Sequence, residues 1–350
     1  MELSVCLEKK LRNFTLEVDF TVKDEVFALL GASGCGKSMT LRCIAGIEKP
    51  DKGRIVLEGK TLFDSERGIH LPPQARQLGF LFQDYALFPN MTVAENLAFV
   101  MAGSKGEKGE RIRELLQRFR LAEVADCYPP VLSGGQQQRA AFARILASPA
   151  RLLLLDEPFS ALDSYLKWQL EMELMELLPA YGGTALLVSH DRGEVYRLAR
   201  RVAVLNRGKM EPPAPKKELF RQPRTLAATL LTGCKNISAA RKIDEAHIQA
   251  TDWGLTLKTG EAPSPSVRYA GIRAHFLEPR EGAGEDEENV FPMEVMRVIE
   301  DTFSYIVMVK PRGQEVPPLR WELEKKDWRQ LAGRELFLCF PPEKLMLLES

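Results

Sequence analysis

The stretch EVFALLGASGCGKS, Glu25–Ser38, decides the fold. Its first six residues form an apolar run of strand length, and the next eight place three glycines before a lysine and a hydroxyl. Gly31, Gly34 and Gly36 permit close backbone turns that residues with side chains resist. A strand, a tight glycine loop and a helix start, in that order, point backbone N–H groups at an anion. Ala32, Ser33 and Cys35 complete the loop, while Lys37 and Ser38 stand where an ammonium can meet terminal phosphates and a hydroxyl can meet magnesium. Met39 occupies a place where a second hydroxyl residue is common, but Ser38 keeps the metal-reaching oxygen.

A second site follows at RLLLLDEP, Arg151–Pro158. Four consecutive leucines read as a strand buried on both faces of an α/β sheet, with Asp156 emerging at the carboxyl end, where such sheets bind ligands. Asp156 can hold magnesium, usually through water, and Glu157 can polarise the water that attacks a γ-phosphate. Three further positions fit around these phosphates: Gln83 in LFQD, Asp163 in SALD and His190 in LLVSHD. Taken singly, a glutamine or histidine at a strand end more often caps the strand or sits satisfied in the core. Their order along one chain is what joins them to the phosphate loop. Between loop and acidic strand lies LSGGQQQR, Leu132–Arg139.

With these motifs in hand, residues 1 to about 230 resemble the ATP-binding subunit of an ATP-binding-cassette (ABC) transporter. The resemblance implies a P-loop NTPase cassette over residues 1–232, with a helical subdomain over about 84–150. It makes Gly31, Ala32, Ser33, Gly34, Cys35, Gly36, Lys37, Ser38 and Met39 the ATP-binding loop, and Gln83 the link between metal and membrane partner. Ser133, Gly134 and Gly135 match the family signature, Asp156 the magnesium-associated aspartate and Glu157 the catalytic glutamate. Asp163 matches the dimer-contacting aspartate and His190 the histidine that senses the γ-phosphate. It further implies two ATP molecules, each with Mg2+, between the halves of a head-to-tail homodimer, where Ser133 of one copy faces the phosphate cradled by Lys37 of the other. Adenine recognition is poorly marked: Phe14 is the nearest aromatic, but RNFTLEVDF alternates like a half-buried strand, which favours core packing.

The composition suits a globular protein of 350 residues, with 45% apolar residues and 48 basic against 48 acidic side chains. That balance gives no general reason to expect a nucleic-acid or anionic-membrane partner. Six cysteines without a C-x-x-C pair fit a reducing compartment, and Cys35 reads by default as a packed neutral thiol. No segment approaches ~18 uninterrupted apolar residues, and the N terminus lacks a signal-peptide core. The expected location is therefore the cytoplasmic side of the membrane, reached through permease subunits and indirectly served by an external solute-binding protein. DYALFPNMTVAENLAFVMAG, residues 84–103, can either dock a short helix of such a permease or pack within the helical subdomain. EKGERIRELLQRFRL, residues 107–121, reads as an amphipathic helix.

After RVAVLNRGKM, the proline-rich EPPAPKKELF marks a change of organisation, and the boundary is expected near residue 232. Residues 233–350 carry short alternating stretches such as HIQATDWGLTLKT and FSYIVMVKP, so a small barrel or paired sheets are expected. By resemblance this is an OB-like, TOBE-type accessory domain of an importer ATPase, either binding cargo or only regulating transport or stabilising the dimer. EPREGAGEDEENV, residues 278–290, lacks ordered calcium-ligand spacing and reads as a surface loop.

The segments LLTGCKNISAARKI, DWGL and AGIRAHF, together with residues 62–99, resemble the molybdate or tungstate branch of importers. The implied function is ATP hydrolysis coupled to import of an oxyanion, molybdate first. An ATPase serving sulfate or another small solute is the alternative. A cassette acting on nucleic acid or ribosomes is the remote one, since it would need a coiled insertion, paired cassettes or a basic patch.

Overall fold

The computed structural model describes residues 1–82, 84–150, 152–160, 163–282 and 288–349, apart from the side chains of residues 105 and 179–181. Its contacts divide the chain into two compact units, Met1–Lys216 and Lys217–Ser350.

The first unit opens on two strands, β1 (Glu2–Lys10) and β2 (Thr15–Lys23), whose alternating residues are buried. In their antiparallel register Leu3 pairs with Val22, Val5 with Phe20 and Leu7 with Val18, so one face is apolar throughout. Next come β3 (Val26–Leu30), α1 (Lys37–Ala45), β4 (Lys52–Leu57), β5 (Lys60–Asp64), β6 (Ile69–His70), α2 (Pro73–Arg76) and β7 (Gly79–Leu81). Three helices, α3 (Val93–Val100), α4 (Lys105–Arg118) and α5 (Gly134–Ala147), separate these from β8 (Leu152–Asp156). The unit closes with α6 (Ser164–Tyr181), β9 (Thr184–Ser189), α7 (Arg192–Leu198), β10 (Arg201–Asn206), β11 (Lys209–Met210) and β12 (Ala214–Pro215).

Among the described residues the strands form one sheet in the order β6-β5-β4-β1-β2-β11-β10-β3-β9-β8-β7, with β12 beside β10. Strands β10, β3, β9, β8 and β7 run parallel. As their unbroken apolar runs require, β8 and β9 are buried at every position. This parallel half carries the phosphate loop. The antiparallel half forms a lateral wing, and α3 to α5 are the helical arm.

In the second unit, α8 (Lys216–Arg221) and α9 (Leu226–Leu231) precede two five-stranded antiparallel sheets. One contains β13 (Asn236–Lys242), β14 (His247–Ala250), β15 (Leu255–Lys258), β16 (Tyr269–Ile272) and β22 (Met346–Leu348). The other contains β17 (Glu278–Arg280), β18 (Val290–Glu300), β19 (Ser304–Pro311), β20 (Leu319–Glu324) and β21 (Leu336–Cys339). They share one core around Trp253, Trp321 and Phe340. The Asn236 side chain ties β13 to β20, donating to the Arg320 carbonyl at 2.8 Å and accepting from its N–H at 2.7 Å. Of the two expected arrangements, paired sheets are the one observed.

The division at Lys216/Lys217 lies upstream of the change expected near residue 232. The reason is local: the Arg273 guanidinium donates to the carbonyls of Phe220 at 2.5 Å and Thr232 at 2.9 Å, and Leu226 packs against Cys234, Met346 and Leu348. Apolar spacing in PRTLAATLLTG gives the helix but not the body it joins. Part of the acidic loop, residues 283–287, lies outside the described residues. No helix among the described residues is long and apolar enough to cross a membrane.

Candidate nucleotide site

Strand register builds the site. Leu30 pairs with Ser189, and Asp156 pairs with Val188, so β3, β9 and β8 end side by side. The residues that follow, Gly31, His190 and Glu157, therefore leave the sheet at one level, at the carboxyl edge where open parallel sheets hold ligands.

The loop after β3 is shaped by its glycines. A Cβ at Gly31 would lie 2.4 Å from the Leu205 carbonyl oxygen and 2.6 Å from Cys35 Sγ. Gly36, at φ 115°, caps α1 in a conformation that L side chains rarely adopt, with no side chain occupying the helix's first amides. Ala32, Ser33 and Gly34 form an exposed crest, whereas Cys35 is buried and burial pushes its thiol up. Met39 is half-buried against the core, facing inward as an apolar side chain should.

Lys37 is only 4% exposed. Its Nζ donates to the carbonyls of Gly31 at 2.9 Å and Ala32 at 3.0 Å and stands 3.7 Å from Glu157 Oε1. Ser38 Oγ donates to Asp156 Oδ1 at 2.7 Å. Burial raises the Asp156 carboxyl above the usual carboxylate range, opposed by that hydrogen bond. Glu157 takes φ 45°, which is uncommon for a residue with a side chain, and its N–H donates to the Val188 carbonyl at 3.0 Å. This turn carries its carboxylate to His190, whose Nδ1 is 3.2 Å from Glu157 Oε2. Thus Lys37, Ser38, Asp156, Glu157 and His190 converge, although 153 residues separate the first from the last (190 − 37).

A carboxylate and a hydroxyl on adjacent elements are hard oxygen donors of the kind Mg2+ takes. No group of three or more His, Cys, Asp or Glu able to hold a metal occurs among the described residues. A magnesium ion on Ser38 and Asp156 would thus keep most of its positions for water and phosphate oxygens, its usual habit in nucleotide sites.

The sequence profile described as "ABC transporter" matches residues 15–160. The "Fe(3+) ions import ATP-binding protein FbpC" of Haemophilus influenzae (strain 86-028NP) is 38% identical over 246 residues, covering 69% of this chain and 70% of that protein. The chain belongs to the ABC transporter ATP-binding family. This family binds ATP with Mg2+. The cassette is also 42% identical over 225 residues to the "Putrescine transport ATP-binding protein PotG" of Escherichia coli (strain K12), covering 63% of this chain and 58% of that relative's length. Among solved structures, the dimeric ATP-binding cassette MJ0796 in a post-hydrolysis state bound to ADP and Pi is 29% identical, with a TM-score of 0.53. The match covers 62% of this chain and 99% of that one.

The remaining cassette positions stand apart from this cluster. Ser133 is the N-cap of α5 in a reciprocal capping box: its Oγ accepts from Gln136 N–H, and Gln136 Oε1 accepts from Ser133 N–H at 2.9 Å. Gly134 beside it is exposed, and Gly135 is buried near Leu166. Among the described residues, no hydrogen bond or ion pair joins Ser133–Gly135 to the phosphate loop of the same chain. Asp163 caps α6, accepting from Tyr165 N–H at 2.9 Å and Leu166 N–H at 3.1 Å. Gln83 lies outside the described residues. Phe14 sits in the turn before β2, its ring beside Gly36 and Gly208 and partly packed on the core.

Two cassette residues escaped the sequence reading. Gln138, fully buried, donates to the Pro158 carbonyl and accepts from Tyr85 Oη at 3.3 Å, so the signature helix touches both the turn after Glu157 and the segment after Phe82. Arg144 donates to the Ala86 carbonyl at 2.7 Å and the Tyr85 carbonyl at 3.1 Å. The only sequence signal was a polar face on an otherwise apolar helix, which solvent would equally explain.

Proposed function

We propose that this chain is the ATP-hydrolysing subunit of an importer, working as a head-to-tail homodimer on separate permease subunits. The convergence of Lys37, the Ser38–Asp156 pair, Glu157 and His190 at three adjacent strand ends carries this reading. Residues 31–39 would cradle the phosphates of ATP, with backbone amides and Lys37 Nζ set against negative charge. Ser38 and Asp156, with Gln83, would hold Mg2+, which supplies charge neutralisation during phosphoryl transfer. Glu157 would orient the attacking water, and His190 would contact the γ-phosphate.

Ser133, Gly134 and Gly135 make no polar contact with their own phosphate loop, and Ser133 and Gly134 are exposed, which fits completion of a second copy's site. Asp163 would contribute to that same interface. Donors would then face the γ-phosphate from both copies, so ATP favours the closed pair and hydrolysis releases it. The permease would meet the helical arm near Phe88 and Phe99, whose rings lie 4.9 Å apart with Phe99 61% exposed.

For cargo we retain an oxyanion, molybdate first, on the segments quoted above that bridge into the second unit. Relatives named for putrescine and iron favour a second reading, a small solute of another class. Vesicles holding this chain with its neighbouring permease and binding protein separate them. Molybdate uptake that stops with Glu157→Gln supports the first reading; uptake of sulfate, putrescine or ferric iron instead keeps the ATPase and replaces the cargo.

A further inference from the structure

Behind the site lies a group of charges that the chemistry above does not use. Lys167 sits one turn into α6, its N–H bonded at 2.9 Å to the carbonyl of Asp163, the residue that caps the same helix. Its Nζ lies 2.5 Å from Asp191 Oδ2 and 2.5 Å from Glu194 Oε1. One partner adjoins His190 directly and the other reaches its preceding residue through a hydrogen bond. Asp191 follows the histidine and caps α7, accepting from Gly193 N–H at 2.7 Å and Glu194 N–H at 3.2 Å. Ser189 precedes it and donates from Oγ to Glu194 Oε2 at 2.5 Å, while accepting from Asp191 N–H at 2.9 Å. One turn further along, Glu171, 1% exposed, accepts from Arg197 Nε at 2.7 Å and holds α6 to α7 a second time.

The imidazole itself has no part in this group. It is half exposed and faces Glu157, while the residues on either side of it are fixed from α6. A buried carboxylate such as Glu194, 4% exposed, needs its cation, so the link is strong rather than incidental. Lys167 is bonded through its backbone to Asp163 and through its side chain to Asp191, which follows His190, and to Glu194, which in turn holds Ser189, so one residue joins the Asp163 turn to the histidine turn.

We propose that Lys167 is a positioning residue that couples the Asp163 turn to the His190 turn, so that contact with a second copy at the first sets the imidazole at the second. The inference rests on the roles given above to Asp163 and His190. Lys167 is given no contact with the reacting groups; it acts through His190.

The test compares Lys167→Met, Lys167→Arg, His190→Ala and the double variant Lys167→Met/His190→Ala in the full-length protein. Readouts are ATP affinity, kcat and KM for ATP hydrolysis. Lys167→Met should lower kcat about tenfold or more, leave ATP affinity within about twofold, and be restored to within about threefold by arginine. The double variant should be no slower than His190→Ala alone, because a residue acting through another adds nothing once that other is gone. Independent, multiplicative losses would overturn the coupling. Should His190→Ala hydrolyse ATP like the unaltered protein, the role assigned to His190 fails, which is a different result from failure of Lys167. To guard against misfolding around an unpaired Glu194, the neutral pair Lys167→Met/Glu194→Gln is measured as well. It should fold, show the same kcat defect and again be non-additive with His190→Ala; a folded pair with unaltered kcat would overturn the proposal.

Discussion

Ser38 Oγ and Asp156 Oδ1 lie 2.7 Å apart although 118 positions separate them in the chain. One oxygen comes from the first turn of α1 and the other from the end of β8, so the pair measures how closely loop and sheet are held together.

Asp156 should be worth more to chemistry than to stability. Its carboxyl titrates above the unfolded value, so the folded state binds the proton more tightly. Stability from this group is full below the unfolded pKa and declines as pH rises through the folded one. Asp156→Asn should therefore raise Tm at neutral pH, while Mg2+-dependent hydrolysis is lost. The Tm gain should shrink as pH falls and vanish below the ordinary aspartate pKa. A thermal melt series across pH reads it, and a variant less stable at pH 7 would contradict the argument.

Lys37→Ala and Glu157→Gln should fail in different ways. Lys37 faces the loop carbonyls where phosphates would be cradled, so its loss should weaken ATP binding by about tenfold or more. Glu157→Gln keeps the shape but removes the carboxylate proposed to orient the attacking water, and should bind ATP normally while turnover drops about 100-fold or more. Equilibrium binding and phosphate release, measured separately, distinguish them; normal turnover in both variants would sink the site assignment.

Arg76 offers a stability test remote from any ligand. Its buried guanidinium donates to the carbonyls of Leu71 at 2.9 Å, Cys43 at 2.9 Å and Ile44 at 2.7 Å, placing a cation at the carboxyl end of the phosphate-loop helix. Arg76→Ala would take this donor from the three carbonyls, of which Cys43 alone, among the described residues, keeps another in the Gly46 N–H, and open a hole, costing about 2–4 kcal/mol. Chemical denaturation is the readout, and a loss below about 0.5 kcal/mol would show that water replaces the guanidinium freely.

In the second unit the matching test is Asn236→Ala. The substitution removes both bonds to the Arg320 backbone and should cost about 1–3 kcal/mol. Hydrogen exchange at the Arg320 amide should accelerate in step, whereas unchanged protection there would mean the tie is not needed.

Local signals made much of this legible. Apolar runs announced β3 and β8, glycine spacing announced the loop between β3 and α1, and period-two stretches announced the second unit's strands. What stayed hidden depends on contacts across the fold. Nothing near Lys167 in sequence reveals that its partners lie at Asp191 and Glu194, because helical spacing reports a face and not what covers it. Gln138 and Arg144 were obscured similarly. The division near 216 falls within EPPAPKKELF, where the sequence marks a change, but α8 and α9 carry helix signals with no record of which core receives them, which moved the expected boundary to about 232.

The register in which Leu30 meets Ser189 and Val188 meets Asp156 also bears on how the gene can vary. Deleting one codon within Thr184–Ser189 would turn each later side chain of that strand to the opposite face and draw His190 back by about 3.3 Å, out of reach of Glu157. Point changes among these apolar residues cost packing alone, but a length change dismantles the centre at once. Natural insertions and deletions should therefore cluster in the wing and the acidic loop of residues 278–290, leaving the three central strands at constant length.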